Sequence, residues 1–546
     1  MHSLKILCFK AVLFNRNILF KELDLTENEP SKEEFLIESY QRWGSNLLSH
    51  LDGEFAFALY DAEKKHYFAA RDPLGVKALY YTKIADTYYF SSNIDALLNI
   101  YNVVKKTNLT SMHTMLYQRT VDYSDTMYEG IYRLPPGHFM IIKDNEESIE
   151  RYWYPEKIKT DYKITEKEAA QKLKKLFGKA VNKSIVDLEE TAFEVSGGLD
   201  SSSVVSLLAQ NRDPHTIESY SMEFKDLKCD EGIYVEDLLE QYPLHHQKIP
   251  SHQLDYHEKY ALKHLYDMSP HWPITQTFAM TLPMLEKMKQ DGKNVVITGQ
   301  GGDHLFTGSQ YVYSDLFRRF KFLMLYRELK LWANPWAKIK STIIKPLLGK
   351  KLTGIIMKIL AKEQKDPFLN KERSIVDLSD KVGIHNIAFK NELDMVSSAG
   401  QSTIMDGNLF HATETYFDIE FRHPYFDREL VEFALSLPPE MKYKQRTIKW
   451  ILRKAMDGVL PDKIRDRQDK AEFSELLTQQ IDAIDLDALL TDPYIVKLGL
   501  IEQPLIDSYR KEYENKTVKY ILFLWTIINI EYWYRYNFEE ESLIIG

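Results

Sequence analysis

In the first part of the chain, apolar and polar positions alternate in short runs separated by polar turns: Glu54–Tyr60, Tyr67–Ala70, Ala78–Tyr81 and Thr87–Ser91. A period of two with tight turns predicts an antiparallel sheet. Ahead of these runs, Ser31 and Glu34 have capping-box spacing. Leu36, Tyr40 and Trp43 then recur at helical spacing until Gly44 ends the helix. Leu134-Pro-Pro-Gly137 is a turn before one more strand, Phe139–Ile142. Between Trp153 and Thr165, Pro155 and a mixture of Lys and Asp interrupt the pattern. A domain boundary near residue 158 follows, with domains 1–158 and 159–546.

Beyond that boundary the pattern predicts helix 166–187, strand 191–195, helix 201–210, strand 216–224, helix 231–241 and strand Asn294–Thr298. Strands alternating with helices predict a parallel sheet that binds ligands at its carboxyl ends. From residue 311 onward the chain reads as mainly helical, and residues 312–375, rich in Lys, Arg and Leu, read as an insertion. Asp427 suits an N-cap for a helix that sends Leu430, Phe433, Ala434 and Leu437 to the core. A helix over 446–456 carries Ile448, Ile451, Leu452 and Ala455 as its apolar stripe. Periodicity alone puts Lys449, with Arg453, on a solvated basic face.

Composition narrows the class. The 546 residues are 44% hydrophobic and carry a net charge of −10. That balance supports a large core and argues against general nucleic-acid binding. Cys8 and Cys229 are the only cysteines, so neither a disulfide framework nor a zinc pattern can be built. Lys5 and Lys10 interrupt the short apolar start, which does not read as a secretory signal, and the apolar run Tyr520–Ile530 is too short for a bilayer and reads as a buried helix. The expectation is a cytoplasmic protein without a membrane span.

The chemistry concentrates in Thr191–Ser203, where an apolar strand runs through Ser196-Gly197-Gly198-Leu199-Asp200-Ser201 into a helix. Paired glycines let backbone N–H groups approach an anion, and a helix N-terminus adds free N–H groups and its dipole. Ser201 and Ser202 add hydroxyl donors, and Asp200 is a hard oxygen ligand for magnesium. A second Gly-rich turn, Gly299-Gln300-Gly301-Gly302-Asp303, also follows a strand, so Asp303 can share a magnesium ion with Asp200. The Lys of kinase-type phosphate loops is missing, and the run resembles the pyrophosphate loop of enzymes that cleave ATP to AMP and pyrophosphate.

These segments together resemble the asparagine synthetase B superfamily. The resemblance rests on Leu51–Asp61 (LDGEFAFALYD), Ala70–Lys77 (ARDPLGVK), the Ser196–Ser202 loop, Gly299–Phe306, Glu420–Asp427, Lys449–Arg453 and Leu460–Arg467, which occur in that order. The Leu524-Trp525 and Glu531-Tyr532-Trp533 end also fits. It implies an α/β protein: a shortened Ntn-hydrolase, glutaminase-like antiparallel-sheet domain followed by an adenylating domain with a parallel sheet and many helices. It also implies ATP and Mg2+ as cofactors. ATP-binding positions would be Val195, Ser196, Gly197, Gly198, Asp200, Ser201, Ser202, Met222, Gly299 and Gly301, with Asp200 and Asp303 for the metal. Lys449 would steady negative charge in the reaction, a large catalytic effect for a buried cation.

Three departures shape the expected function. Glutaminase members use an N-terminal Cys, whereas this sequence reads Met1-His2 and holds Cys8 internally. It is therefore expected not to hydrolyse glutamine, its first domain being shortened or its start lying upstream. Gln300 stands where glutamine-using members place a Glu, and an amide is no base at neutral pH. Glu420 stands where the lactam-forming branch keeps a carboxylate that helps deprotonate the amine. The nearest resemblance is to lasso peptide cyclases, supported by Asp315-Leu-Phe-Arg318-Arg319. These activate an Asp or Glu side chain of a small peptide precursor, whose own N-terminal amine closes a macrolactam. A leader-processing protease would then be a partner. An asparagine synthetase acting on aspartate with ammonia or glutamine is the competing reading, and a nucleotide-binding scaffold without activity is a third. Residues 312–375 are the expected peptide contact by position.

Overall fold

The computed structural model describes residues 4–25, 31–101, 103–117, 124–251, 254–344, 388, 389, 392, 410–515 and 521–539. The predicted insertion is therefore described only as far as residue 344; its remainder lies outside the described residues.

The alternating runs form antiparallel sheets. Strands β1 (Leu4–Leu13), β2 (Gly53–Asp61) and β3 (His66–Arg71) lie in sequence, while β4 (Tyr80–Ile84), β5 (Thr87–Ser91) and β6 (Ile131–Arg133) form a separate three-stranded sheet. With β7 (His138–Lys143) and β8 (Glu146–Arg151), the first sheet takes the order β1-β2-β3-β7-β8. β2 reads GEFAFALYD; Phe55, Phe57 and Leu59 pack with Phe35, Leu36 and Tyr40 on one face, while Ala56 and Ala58 meet the layer of Leu79 and Tyr81 on the other. The small alanines allow the two sheets to approach. The capping box is formed: Ser31 Oγ accepts from the Glu34 N–H, and Glu34 accepts from the Ser31 N–H. β1 and β8 are strands that the periodicity did not single out.

The later part contains a parallel sheet in the order β11-β10-β9-β12-β13. These are β9 (Thr191–Glu194), β10 (Glu218–Glu223), β11 (His245–Pro250), β12 (Val295–Ile297) and β13 (Glu420–Arg422). The helices Glu166–Lys183, Leu199–Ala209 and Arg428–Ser436 pack on one face, whose core includes Phe193, Val195 and Ile297. The helix Phe278–Gln290 packs with Ala192, Val296 and Phe421 on the other. Asp427 caps its helix as expected, its Oδ1 accepting from the Leu430 N–H at 3.1 Å.

The apolar run near the C-terminus is a buried helix, Ile521–Phe538. Among the described residues no helix is long and apolar enough to cross a membrane. Within it Glu531 is fully buried; it accepts from the Tyr494 and Ile495 N–H groups at 3.0 Å each and from Arg535 Nε at 2.7 Å. Those bonds anchor the segment beginning at Tyr494 to the C-terminal helix. Removing the carboxylate leaves a guanidinium and two N–H groups unmatched. Glu531→Ala is expected to lower stability by about 3 kcal/mol, read as a lower urea midpoint.

Candidate active site

β9 ends at Glu194, and the chain turns through Ser196 and Gly197 into the helix Leu199–Ala209. Gly197 has φ +75°, and a Cβ there would come within 2.9 Å of the Glu231 carbonyl oxygen. The turn is closed from within: the Ser196 N–H donates to Ser201 Oγ at 3.1 Å, and the two hydroxyls lie 3.0 Å apart. Opposite, Gly299 and Gly302 press against the loop. A Cβ on Gly299 would sit 2.5 Å from the Ser201 nitrogen, and one on Gly302 would sit 2.4 Å from Asp200 Cγ. Both turns thus follow adjacent parallel strands and share one wall, as the strand-and-turn pattern predicted.

The residue that joins them is Lys449. Its Nζ lies 2.5 Å from Asp200 Oδ2 and 2.8 Å from Asp303 Oδ1. The expected helix 446–456 begins only at Trp450, because Gln445, Arg446 and Lys449 all have positive φ (52°, 62° and 56°). This corrects the solvated-face reading: a left-handed turn sends Lys449 inward, leaving it 5% exposed. Burial disfavours its charge, but Asp200 and Asp303 raise its pKa above the ordinary value, so the ammonium persists. Burial also pushes the Asp200 carboxyl upward, against the pull of Lys449. Asp303, despite its own burial, is held below the usual carboxylate range by Lys449 and by Lys470 at 3.0 Å.

These groups line a cleft of about 590 Å3 at the carboxyl end of the sheet. Ser196, Gly198, Asp200, Ser201, Gly299, Gln300, Gly301, Asp303 and Lys449 all border it. The other expected positions do not. Val195 is buried in the core, with its N–H on the Tyr220 carbonyl; Gly197 turns the loop from behind; Ser202 is fully buried within the helix layer; and Met222 packs with Phe224, Cys229 and Met280. Glu420 is set apart as well. On β13 Phe421 faces the cleft, so the alternation of the strand turns Glu420 and Arg422 to the opposite face, where they pair at 2.6 Å and Arg422 reaches the Ser184 carbonyl oxygen. Among the described residues Glu420 therefore does not border the cleft, whereas its neighbour Phe421 does.

Other wall residues escaped the sequence reading. Arg467 pairs with Glu231 and covers the Tyr234 ring at 4.1 Å. Arg453 donates to the Ile448 carbonyl at 3.0 Å. The helix Phe278–Gln290, the helical residues 410–417 and β13 contribute Phe278, Thr281, Met284, Leu285, Phe410, Thr413 and Phe421. Glu194 also borders the cleft. Arg453, Arg467, Phe421 and Glu194 lie within runs singled out in the sequence, but their place in the cleft, like that of the other wall residues, is revealed only by contact between distant segments. Cys8 and Cys229 are not activated thiols: burial raises the pKa of both, that of Cys229 to about 11.

The cleft fits a magnesium nucleotide. Buried Asp200 Oδ1 has no hydrogen-bond partner among the described residues, and the glycines leave room for backbone approach to an anion. No three His, Cys, Asp or Glu side chains cluster as a protein-only metal site among the described residues. Asp200 and Asp303 are therefore a pair that phosphate oxygens would complete. Gly302→Ala, whose Cβ would displace Asp200, is expected to weaken Mg·ATP binding at least about tenfold, by roughly 1.4 kcal/mol, in equilibrium titration, with an unchanged circular-dichroism spectrum.

Comparison with known proteins agrees with this geometry. The family model for asparagine synthase matches residues 172–535, and that for a glutamine amidotransferase domain matches residues 2–153. Asparagine synthetase [glutamine-hydrolyzing] 3 of Bacillus subtilis (strain 168) is 27% identical, over 84% of this chain and 74% of that protein. Asparagine synthetase [glutamine-hydrolyzing] 1 of the same organism is 25% identical, over 98% and 87%. Amidase chyE of Penicillium rubens is 25% identical, over 80% and 72%. The chain thus belongs to the asparagine synthase family, and is a ligase that forms carbon–nitrogen bonds with ATP.

Proposed function

We propose that this protein activates a side-chain carboxylate of a small peptide as its AMP ester and closes a macrolactam with the peptide's own N-terminal amine, as in lasso peptide formation. The observation that carries this reading is the wall facing the nucleotide loop. Its cleft-lining residues from the helix Phe278–Gln290, residues 410–417 and β13 are Phe, Thr, Met and Leu, with no cation among the described residues. Free aspartate would bring a second carboxylate against that wall without a partner, at a cost of several kcal/mol. An aspartyl or glutamyl side chain within a peptide brings amide backbone instead. Cys8, the cysteine of the first domain, is not an activated thiol for releasing ammonia, because burial raises its pKa.

In this reading Ser196, Gly198 and Ser201 bind the phosphates through backbone N–H and hydroxyl donors, and Asp200 and Asp303 hold Mg2+. The ion, when bound, neutralises triphosphate charge. Lys449 stands between the two carboxylates and faces the charge that develops as the carboxylate oxygen attacks the α-phosphorus and pyrophosphate leaves. Gln300 lines the cleft as a hydrogen-bonding amide and not as a base.

Two outcomes are expected. With Mg·ATP, L-aspartate and ammonia the protein should form no asparagine. With a glycyl peptide carrying Asp or Glu roughly eight residues along, it should release AMP and a product lighter by one water, detected by mass spectrometry. Asparagine formation would overturn the reading. Lys449→Ala should lower turnover about 100- to 1,000-fold while leaving Mg·ATP affinity within a few fold.

A further inference from the structure

The reaction needs a neutral amine, but an N-terminal amine is largely an ammonium ion at pH 7. Glu420 does not border the cleft among the described residues, whereas Glu194 does. Glu194 is the last residue of β9, and only Val195 separates it from the phosphate loop. Strand alternation puts it on the face of Ala192, opposite Phe193 and Val195, looking toward the helix Phe278–Gln290. It borders the cleft beside Thr298, and among the described residues no hydrogen bond or ion pair reaches its carboxyl.

We propose that Glu194 is the receiving group for the acceptor amine: it binds the ammonium, takes one proton, and leaves the free amine beside the acyl adenylate. This rests on the macrolactam reading above. The amine lone pair then attacks the acyl carbon, the C–N bond forms, and the C–O bond to AMP breaks with its electron pair leaving on AMP. The second nitrogen-bound proton departs to the AMP phosphate or to water. Glu194 is poorly placed as a phosphate ligand, because its negative charge would oppose the triphosphate two residues away.

Its surroundings suit proton transfer. Burial pushes its pKa to about 7, with no charged neighbour contributing. The adjoining strands bring Tyr220 and Thr298, and Thr298 Oγ1 bonds His423, which burial pushes to about 3 and keeps neutral. The remaining charged groups of the cleft are Asp200, Asp303, Lys449 and Lys470, bound to one another, Glu231 with Arg467 and Asp469, and Arg453 on backbone carbonyls; His304 completes the titratable set. A folded-state pKa above the ordinary value means that the carboxyl's stabilising contribution is present below about pH 4.3 and is lost as pH rises through 7. The wild-type Tm should therefore fall relative to that of Glu194→Gln between pH 5 and pH 8.

The decisive test separates binding, activation and ring closure. Glycinamide, a minimal N-terminal amine, should bind the ATP-loaded wild type by saturation-transfer NMR, and Glu194→Gln should lose at least ten-fold in affinity; no binding to the wild type overturns the proposal. With the glycyl peptide, Glu194→Gln should lose at least 100-fold in ring closure at pH 7, with a smaller loss at pH 9. The N-acetylated peptide with hydroxylamine, which is already unprotonated at pH 7, should give hydroxamate at the wild-type rate. A raised KM for ATP, or equal loss of hydroxamate, would assign Glu194 to nucleotide or carboxylate binding and overturn the proposal. Glycinamide binding without any peptide turnover would instead count against the macrolactam reading alone.

Discussion

The ammonium of Lys449 ties the active site together. It is buried between Asp200, in the first turn of the helix after β9, and Asp303, in the first turn of the helix after β12. The cation between them offsets the repulsion of two ionised carboxylates that lie 2.5 and 2.8 Å from it. The left-handed backbone at Lys449 is what turns it inward, and the absence of side chains on Gly299 and Gly302 is what lets the two loops close on it. The cleft exists because three segments far apart in sequence converge on one charge.

Around this polar junction the cleft divides into chemically distinct walls. One is made of loop N–H groups, hydroxyls and charge, suited to a magnesium nucleotide. The other is apolar and threonine-lined, and among the described residues holds a single carboxylate, Glu194, outside the ion-pair network. The division follows from the sheet. Its two faces belong to different cores, and strand alternation assigns each residue of β9 and β13 to one or the other. The same rule that turns Phe421 toward the cleft turns Glu420 away.

The first domain supports this arrangement from outside. Lys77, buried behind β3, lies 3.5 Å from Glu54 and 3.3 Å from Glu414, and Lys10 of β1 reaches Glu414 at 2.6 Å. Glu414 sits between Phe410 and Thr413 of the cleft wall and the Phe421 N–H, which it accepts at 3.1 Å. A second junction, Lys183 with Asp52 and Asp427 at 2.7 Å each, joins the turn before β2 to the N-cap of the helix Arg428–Ser436. An antiparallel sheet assembly without an activated thiol among its described residues is thus built into the support of the synthetase cleft.

Local order was legible in the sequence. The Ser31 and Asp427 caps, the strands β2, β3, β5 and β7, and the Ser196–Ser201 and Gly299–Asp303 turns follow from short-range hydrogen bonding, alternation and glycine geometry, all of which act over a few residues. The Ser196–Ser201 loop and the acidic residues Asp200 and Asp303 beside it were therefore identifiable from the chain alone. The direction in which Lys449, Glu420 and Glu194 point was not. A helical period makes Lys449 a surface residue, and only packing against Asp200 and Asp303 makes its positive φ worth adopting. Glu420 and Glu194 are both acidic residues at strand ends, alike as sequence. Which one faces the cleft is decided by which core covers each face of the parallel sheet, and that depends on contacts between segments hundreds of residues apart.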